Sequence, residues 1–172
     1  MVECTARLRP GFESRPGRMM KEYVSFEEFK SSCKSLAGQV KKDRFKPDFI
    51  IGIAKGGWVP ARFMGDYLGV DCVASIGCSS YHGQSKTKKP EITEKLGLDI
   101  KGLEVLVVDD IADSGESLEA AKQYLLALNP KKLKFATLHY KQHSKFKPDY
   151  YAEETSAWIV YPWEMAEDAR SA

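Results

Sequence analysis

Early in the chain, apolar positions recur at the spacing of a helix. Phe26, Phe29, Cys33, Leu36, Ala37 and Val40 fall on one stripe, the pattern an amphipathic helix buries. Ser25, with Glu28 three residues on, reads as a capping box at its start. Beyond Pro47 the period gives way to a continuous apolar run, Phe49-Ile50-Ile51-Gly52-Ile53-Ala54, which suits a strand buried on both faces. A helix follows over Trp58–Leu68, stopped by Gly69. The pattern then predicts strands over 72–78, 103–108 and 133–140, a helix over 116–128, and short aromatic segments around Tyr150 and Trp158. Apolar strands alternating with helices imply an α/β fold of βαβ units, with a central, mainly parallel sheet flanked by helices and right-handed crossovers.

Two stretches lack this patterning. Residues 79–98 hold Gly83, Pro90 and four lysines with little apolar periodicity, as a disordered segment or a functional lid does. In residues 1–20, Arg7, Arg9, Arg15 and Arg18 sit among prolines and glycines; this reads as a flexible extension ahead of one domain over 21–172. Met19 and Met20 close that stretch, so a start assigned too early competes with a functional basic arm.

The length of 172 residues, 43% hydrophobic and 29% charged, suits one globular domain. The formal net charge is +2, and the first twenty residues hold all of it, with four arginines against two glutamates. The rest is neutral, without the strong field of a dedicated duplex-binding protein. No apolar run approaches the ~20 residues of a membrane span, and the start has no apolar signal segment, so a cytoplasmic location is expected. Cys4, Cys33, Cys72 and Cys78 form no CxxC pair, as expected of reduced thiols. Neither Cys72, Cys78 and His82 nor His139 and His143 has a common zinc spacing.

The chemistry concentrates in residues 105–118, VLVVDDIADSGESL. A buried strand ends in Asp109 and Asp110, a small-residue turn follows, and a helix begins. Ligands of open α/β sheets bind at the carboxyl ends of strands, and free N–H groups at a helix start favour an anion. A phosphate fits at Ala112, Asp113, Ser114, Gly115, Glu116 and Ser117. Two adjacent carboxylates beside it would repel it unless they grip hydroxyls or a divalent cation, which a sugar phosphate with Mg²⁺ satisfies. An acidic pair capping an ordinary turn is the competing reading.

The order of apolar strand, acid pair, three residues, Ser-Gly-x-Ser and apolar helix resembles the signature of the type I phosphoribosyltransferases. The resemblance implies that Asp109 and Asp110 hold the ribose hydroxyls of 5-phosphoribosyl 1-pyrophosphate, and that residues 112–117 hold its 5-phosphate with Glu116 turned outward. A second stretch, IIGIAKGGWVPA, lacks the GxxxxGK[ST] of a P-loop. It resembles the family's pyrophosphate loop, here Lys55-Gly56-Gly57, and several relatives have a cis peptide at the position of Ala54–Lys55. Ser79, Ser80 and Tyr81 resemble the start of the family's mobile lid, in which Lys86, Lys88 and Lys89 are either pyrophosphate ligands or solvated surface.

The segment TSAWIVYPWE, residues 155–164, resembles the base-binding hood of the xanthine-guanine phosphoribosyltransferases. The resemblance puts Trp158 on the purine ring, the Ile159 carbonyl on an exocyclic amine, Lys141 on the 6-oxo group, and Glu164 where relatives carry an Asp near a second metal. Trp163 is expected to be a core aromatic. Asp113 matches the 6-oxopurine branch, where an Asp stands beside nitrogen 7 and manages its proton.

Together these imply purine salvage. A 6-oxopurine (guanine, hypoxanthine or xanthine) and 5-phosphoribosyl 1-pyrophosphate would give the nucleoside monophosphate and pyrophosphate, with Mg²⁺, in a homodimer or homotetramer whose interface lies near residues 50–66. The alternatives are a regulatory protein on the same fold that binds nucleic acid through its basic tail and Lys131 to Lys147, and an enzyme for a pyrimidine or other acceptor.

Overall fold

The computed structural model describes residues 20–79 and 90–166. In chain order its elements are β1 (Lys21–Tyr23), α1 (Phe26–Lys42), β2 (Phe49–Ala54), α2 (Trp58–Leu68), β3 (Val73–Ser79), β4 (Glu91–Glu94), β5 (Glu104–Ala112), α3 (Glu116–Leu126), β6 (Lys132–Tyr140), β7 (Tyr150–Glu154) and β8 (Trp158–Val160). They form two compact units, one of residues 24–156 and one that joins 20–23 to 157–166.

The larger unit is a six-stranded sheet in the order β4-β3-β2-β5-β6-β7, parallel throughout except that β4 runs antiparallel to β3. Core residues alternate along its central strands. Ile51, Ile53, Val105 and Val107 pack with Leu118, Ala121 and Leu125 of α3. Ile50, Leu106 and Val108, also buried, point the other way by the period of two. On that face α1 and α2 pack on each other and over β2, β5, β6 and β7. The helices thus lie on both faces because β2 and β5, neighbours in the sheet, send their crossovers in opposite directions.

Sequence pattern and structure agree closely at α1. Both arms of the capping box form, with Glu28 N donating to Ser25 Oγ (3.2 Å) and Ser25 N to Glu28 Oε2 (2.7 Å). Phe29, Cys33, Leu36, Ala37 and Val40 are buried as the stripe requires, while Phe26 at its edge remains exposed. Gly69 stops α2 in the left-handed conformation at φ 71°. α3 ends two residues before its expected limit, because Asn129 adopts φ 54° and Pro130 follows.

Five elements differ from expectation. β5 continues past Val108 to Ala112, so the acid pair lies inside the strand. Within the stretch read as a lid, β4 forms an edge strand on β3, and the aromatic segment at Tyr150 is the strand β7. In the smaller unit β1 and β8 pair in parallel, with Glu22 opposite Ile159.

Candidate active site

Parallel strands β3, β2, β5 and β6 bring their carboxyl ends to one edge of the sheet. The switch point, where successive crossovers diverge, is the gap between β2 and β5, the place where open α/β sheets bind ligands. Lys55-Gly56-Gly57 leaves β2 on one side of it, and Asp109 to Ser117 fills the other.

The turn after β2 is built by its glycines. Gly57 N donates to Ile53 O (2.7 Å) and Trp58 N to Lys55 O (3.2 Å). A Cβ on Gly57 would press on Val108 O and stand 2.6 Å from Ile53 N, so only glycine lets this turn close against β5. A Cβ on Gly56 would stand 2.5 Å from Asp110 Cγ and 2.7 Å from its Oδ1. The bare Gly56 therefore makes room for the Asp110 carboxylate. The Ala54–Lys55 peptide is cis, at the bond singled out in the sequence, and Lys55 itself is exposed.

Asp109 and Asp110 are both buried. Burial, and next the neighbouring Asp110 carboxylate, hold the Asp109 carboxyl well above the usual carboxylate range, although the Asp110 N–H donates to its Oδ1 (3.0 Å). Two buried acids that destabilise each other's charge are a donor set that gains from hydroxyls or a divalent cation. Among the described residues no cluster of three or more His, Cys, Asp or Glu could hold a metal by itself.

The turn after β5 prepares an anion site. Gly115 takes the N-cap position of α3 at φ 80° and has no side chain of its own with which to cap it. Ser114 is exposed, with its Oγ accepting from Glu116 N at 3.3 Å, and Ser117 is half-buried. Ala112 is buried within the strand. Glu116 points outward as expected, its carboxylate 3.3 Å from Lys145 Nζ.

Asp113 lies between two nitrogen partners on the loop after β6. Lys141 Nζ, on a side chain only 5% exposed, lies 3.0 Å from Oδ2, and His143 Nε2 lies 2.9 Å from Oδ1. Sequence reasoning linked neither residue to Asp113, and it assigned His143 no role. Its only signal was its place two residues beyond Lys141.

Ser79 ends β3; Ser80, Tyr81 and the lid lysines Lys86, Lys88 and Lys89 lie outside the described residues. In the smaller unit Trp158 is 46% exposed while Ile159 is buried. Glu164 Oε2 accepts from Tyr161 N (3.2 Å), and Trp163 is half-buried, stacked on buried Tyr161 at 4.9 Å.

Residues 19–170 match the model of the phosphoribosyl transferase domain. The xanthine-guanine phosphoribosyltransferase of Cereibacter sphaeroides is 33% identical over 156 residues, covering 84% of this chain and 87% of that protein. The enzyme of the same name from Desulfotalea psychrophila is 31% identical, covering 82% and 84%. Among solved structures, the xanthine-guanine-hypoxanthine phosphoribosyltransferase of Helicobacter pylori superposes with a TM-score of 0.77 at 28% identity, over 88% of this chain and 99% of that one. The purine phosphoribosyltransferase of Pyrococcus horikoshii gives 0.76 at 34% identity, over 83% and 93%.

Proposed function

The chain belongs to the phosphoribosyl transferase family, and we propose that it is a purine salvage enzyme converting a 6-oxopurine and 5-phosphoribosyl 1-pyrophosphate into the nucleoside 5'-monophosphate and pyrophosphate. The observation that carries this reading is the meeting of Gly56 with Asp110 at the switch point. It brings Lys55-Gly56-Gly57 against Asp109-Asp110, near the start of α3.

In this reading the 5-phosphate takes the N–H groups of residues 112–117 with the Ser114 and Ser117 hydroxyls, and Asp109 and Asp110 accept from the ribose hydroxyls. Asp109 and Asp110, together with the substrate's own oxygens, would hold Mg²⁺, which would supply charge neutralisation on the pyrophosphate. Lys55 and the Gly56 amide, in the turn that Gly57 closes, do the same from the protein side, which favours departure of pyrophosphate. Lys141 donates to the 6-oxo group. Asp113 accepts the proton of nitrogen 7 as nitrogen 9, across the same ring, attacks the anomeric carbon. The lid that begins at Ser79, Ser80 and Tyr81 excludes water from that carbon.

Lys131, Lys134, Lys141 and Lys145 each pair with an acid, respectively Glu104, Asp43, Asp113 and Glu116. A lysine run neutralised in this way is a poor phosphate-tracking stripe, which favours the enzyme over a nucleic-acid-binding regulator. Among the described residues no helix is long and apolar enough to cross a membrane, and the reading places the enzyme in the cytoplasm. A homodimer or homotetramer belongs to it too, with Trp58 (51% exposed), within residues 50–66, on the surface to be covered.

The test is incubation with the ribosyl donor, Mg²⁺ and separate purines and pyrimidines. Nucleotide is expected from guanine, hypoxanthine or xanthine, and Asp113→Asn is expected to lower turnover far more than donor affinity. No product with any purine would overturn the proposal.

A further inference from the structure

The loop after β6 is fastened along the turn after β5. Lys141 N donates to Ala112 O and Lys145 N to Ser114 O, both at 3.0 Å. A Cβ on Gly115 would stand 2.5 Å from Ser144 Oγ and 2.6 Å from Phe146 N, so the glycine is what admits the loop. Inside this clasp the Asp113 carboxylate is held at both oxygens, Oδ2 by Lys141 and Oδ1 by His143. An ionised carboxylate only accepts, so the His143 Nε2 carries the hydrogen.

The two holders differ in what else they are asked to do. Lys141 Nζ has a second task in the reading given above, donation to the 6-oxo group, and on taking it up it turns away from Oδ2. A carboxylate left with no other partner would be free to rotate as the base arrives. His143 has a side chain 66% exposed, and its neighbours have separate partners: Gln142 binds Glu154, and Lys145 binds Glu116.

We infer that His143 is a positioning residue that holds Asp113 by Oδ1 while Lys141 passes to the base, leaving Oδ2 to receive the proton of nitrogen 7. This rests on the 6-oxopurine reading of the site and adds a residue to it. The effect belongs to the step with base bound, since the donor's phosphates and ribose are held elsewhere. Positioned proton transfer contributes about 10²–10⁴-fold, and loss of one of two restraints removes part of it.

The test is steady-state kinetics of His143→Ala and His143→Gln, alone and combined with Asp113→Asn. His143→Ala is expected to lower kcat about tenfold with the donor KM within about twofold. Gln sets an amide N–H close to where Nε2 stands, so His143→Gln should recover most of the turnover. In the Asp113→Asn background the His143 change should add nothing, because the carboxylate it positions is gone. Unchanged turnover in His143→Ala, or a full further loss in the Asp113→Asn background, would overturn the inference and leave the purine reading intact. A wild-type protein that forms no nucleotide from any purine would instead remove that reading, and this inference with it.

Discussion

One methyl group, added at Gly56 or at Gly57, should separate function from folding within a single turn. At Gly57 the new Cβ meets backbone: Val108 O, and Ile53 N and O at 2.6 and 2.7 Å. These distances are roughly 1 Å short of ordinary contact, and the atoms belong to the paired central strands β2 and β5. They cannot yield without separating those strands, so overpacking should cost at least about 3 kcal/mol. For a domain of this size that is a fall in Tm of roughly 6–12 °C. At Gly56 the obstacle is instead the Asp110 side chain, with Cγ at 2.5 Å and Oδ1 at 2.7 Å. The Asp110 carboxylate is buried, but it can turn about its side-chain bonds, which the backbone at Gly57 cannot do. Gly56→Ala should therefore cost less than about 1 kcal/mol, under about 4 °C, yet displace the proposed ribose ligand Asp110 by about 1 Å and lower kcat/KM for the donor by about 100-fold. Thermal denaturation and initial rates of nucleotide formation on both variants decide the matter. If Gly56→Ala melts as early as Gly57→Ala, or binds and turns over the donor normally, then Gly56 is not the space that Asp110 needs.

Two further expectations follow from groups away from the site. Tyr150 donates to Asp43 (2.6 Å) and accepts from Lys134 (3.0 Å), and burial, followed by the Asp43 bond, raises its hydroxyl from 10.0 to about 12. A raised folded value is a stabilising contribution present in full below pH 10 and lost as pH climbs toward 12. Urea titrations across that window should give Tyr150→Phe a shallower loss of stability than wild type; equal slopes would refute the burial of this hydroxyl. Cys33 is fully buried on α1, which pushes its thiol up to about 12, whereas Cys72 is exposed. A thiol reagent near neutral pH should label Cys72 in the folded protein and Cys33 only on unfolding, and mass mapping of fast Cys33 labelling would contradict the packing of α1.

Elements specified by their own neighbours were legible in the sequence. α1 carries its cap and its stripe in consecutive residues, and β2 is a continuous apolar run between a proline and a glycine turn. Elements specified by distant partners were not. β4, Glu91–Glu94, is a polar edge strand with one half-buried side, and only its pairing with β3 makes it a strand. β1 and β8 are three residues each, too short for any period to register. The end of β5 was misjudged because Asp109 and Asp110 look like the start of a turn, while the ladder to β6 carries the strand on through both. The motifs were easier to read than the contacts between them. Lys55-Gly56-Gly57 and Asp109-Asp110 each stand out in the chain, yet nothing local says that Gly56 is bare for the sake of Asp110.

The contacts at Asp113 have the same origin in pairing. Every partnered residue of β5 and β6, from Glu104 with Lys132 to Ala112 with Tyr140, is separated by 28 positions, and the ion pair of Asp113 with Lys141 continues that offset by one step. The acid and the lysine therefore meet because the ladder delivers them side by side at its carboxyl end. A slip of one residue would exchange the two faces of β6 and take Phe135 out of the cluster it shares with Leu118, Ala121 and Leu125, so its packing there also enforces the register that makes the site. His143, one turn of loop further on, reaches the free side of the same carboxylate because the backbone bonds to Ala112 and Ser114 hold the loop in line with the turn. Core packing thus fixes the register, the register fixes Lys141 on Asp113, and the loop anchored to that register brings His143 to the same carboxylate.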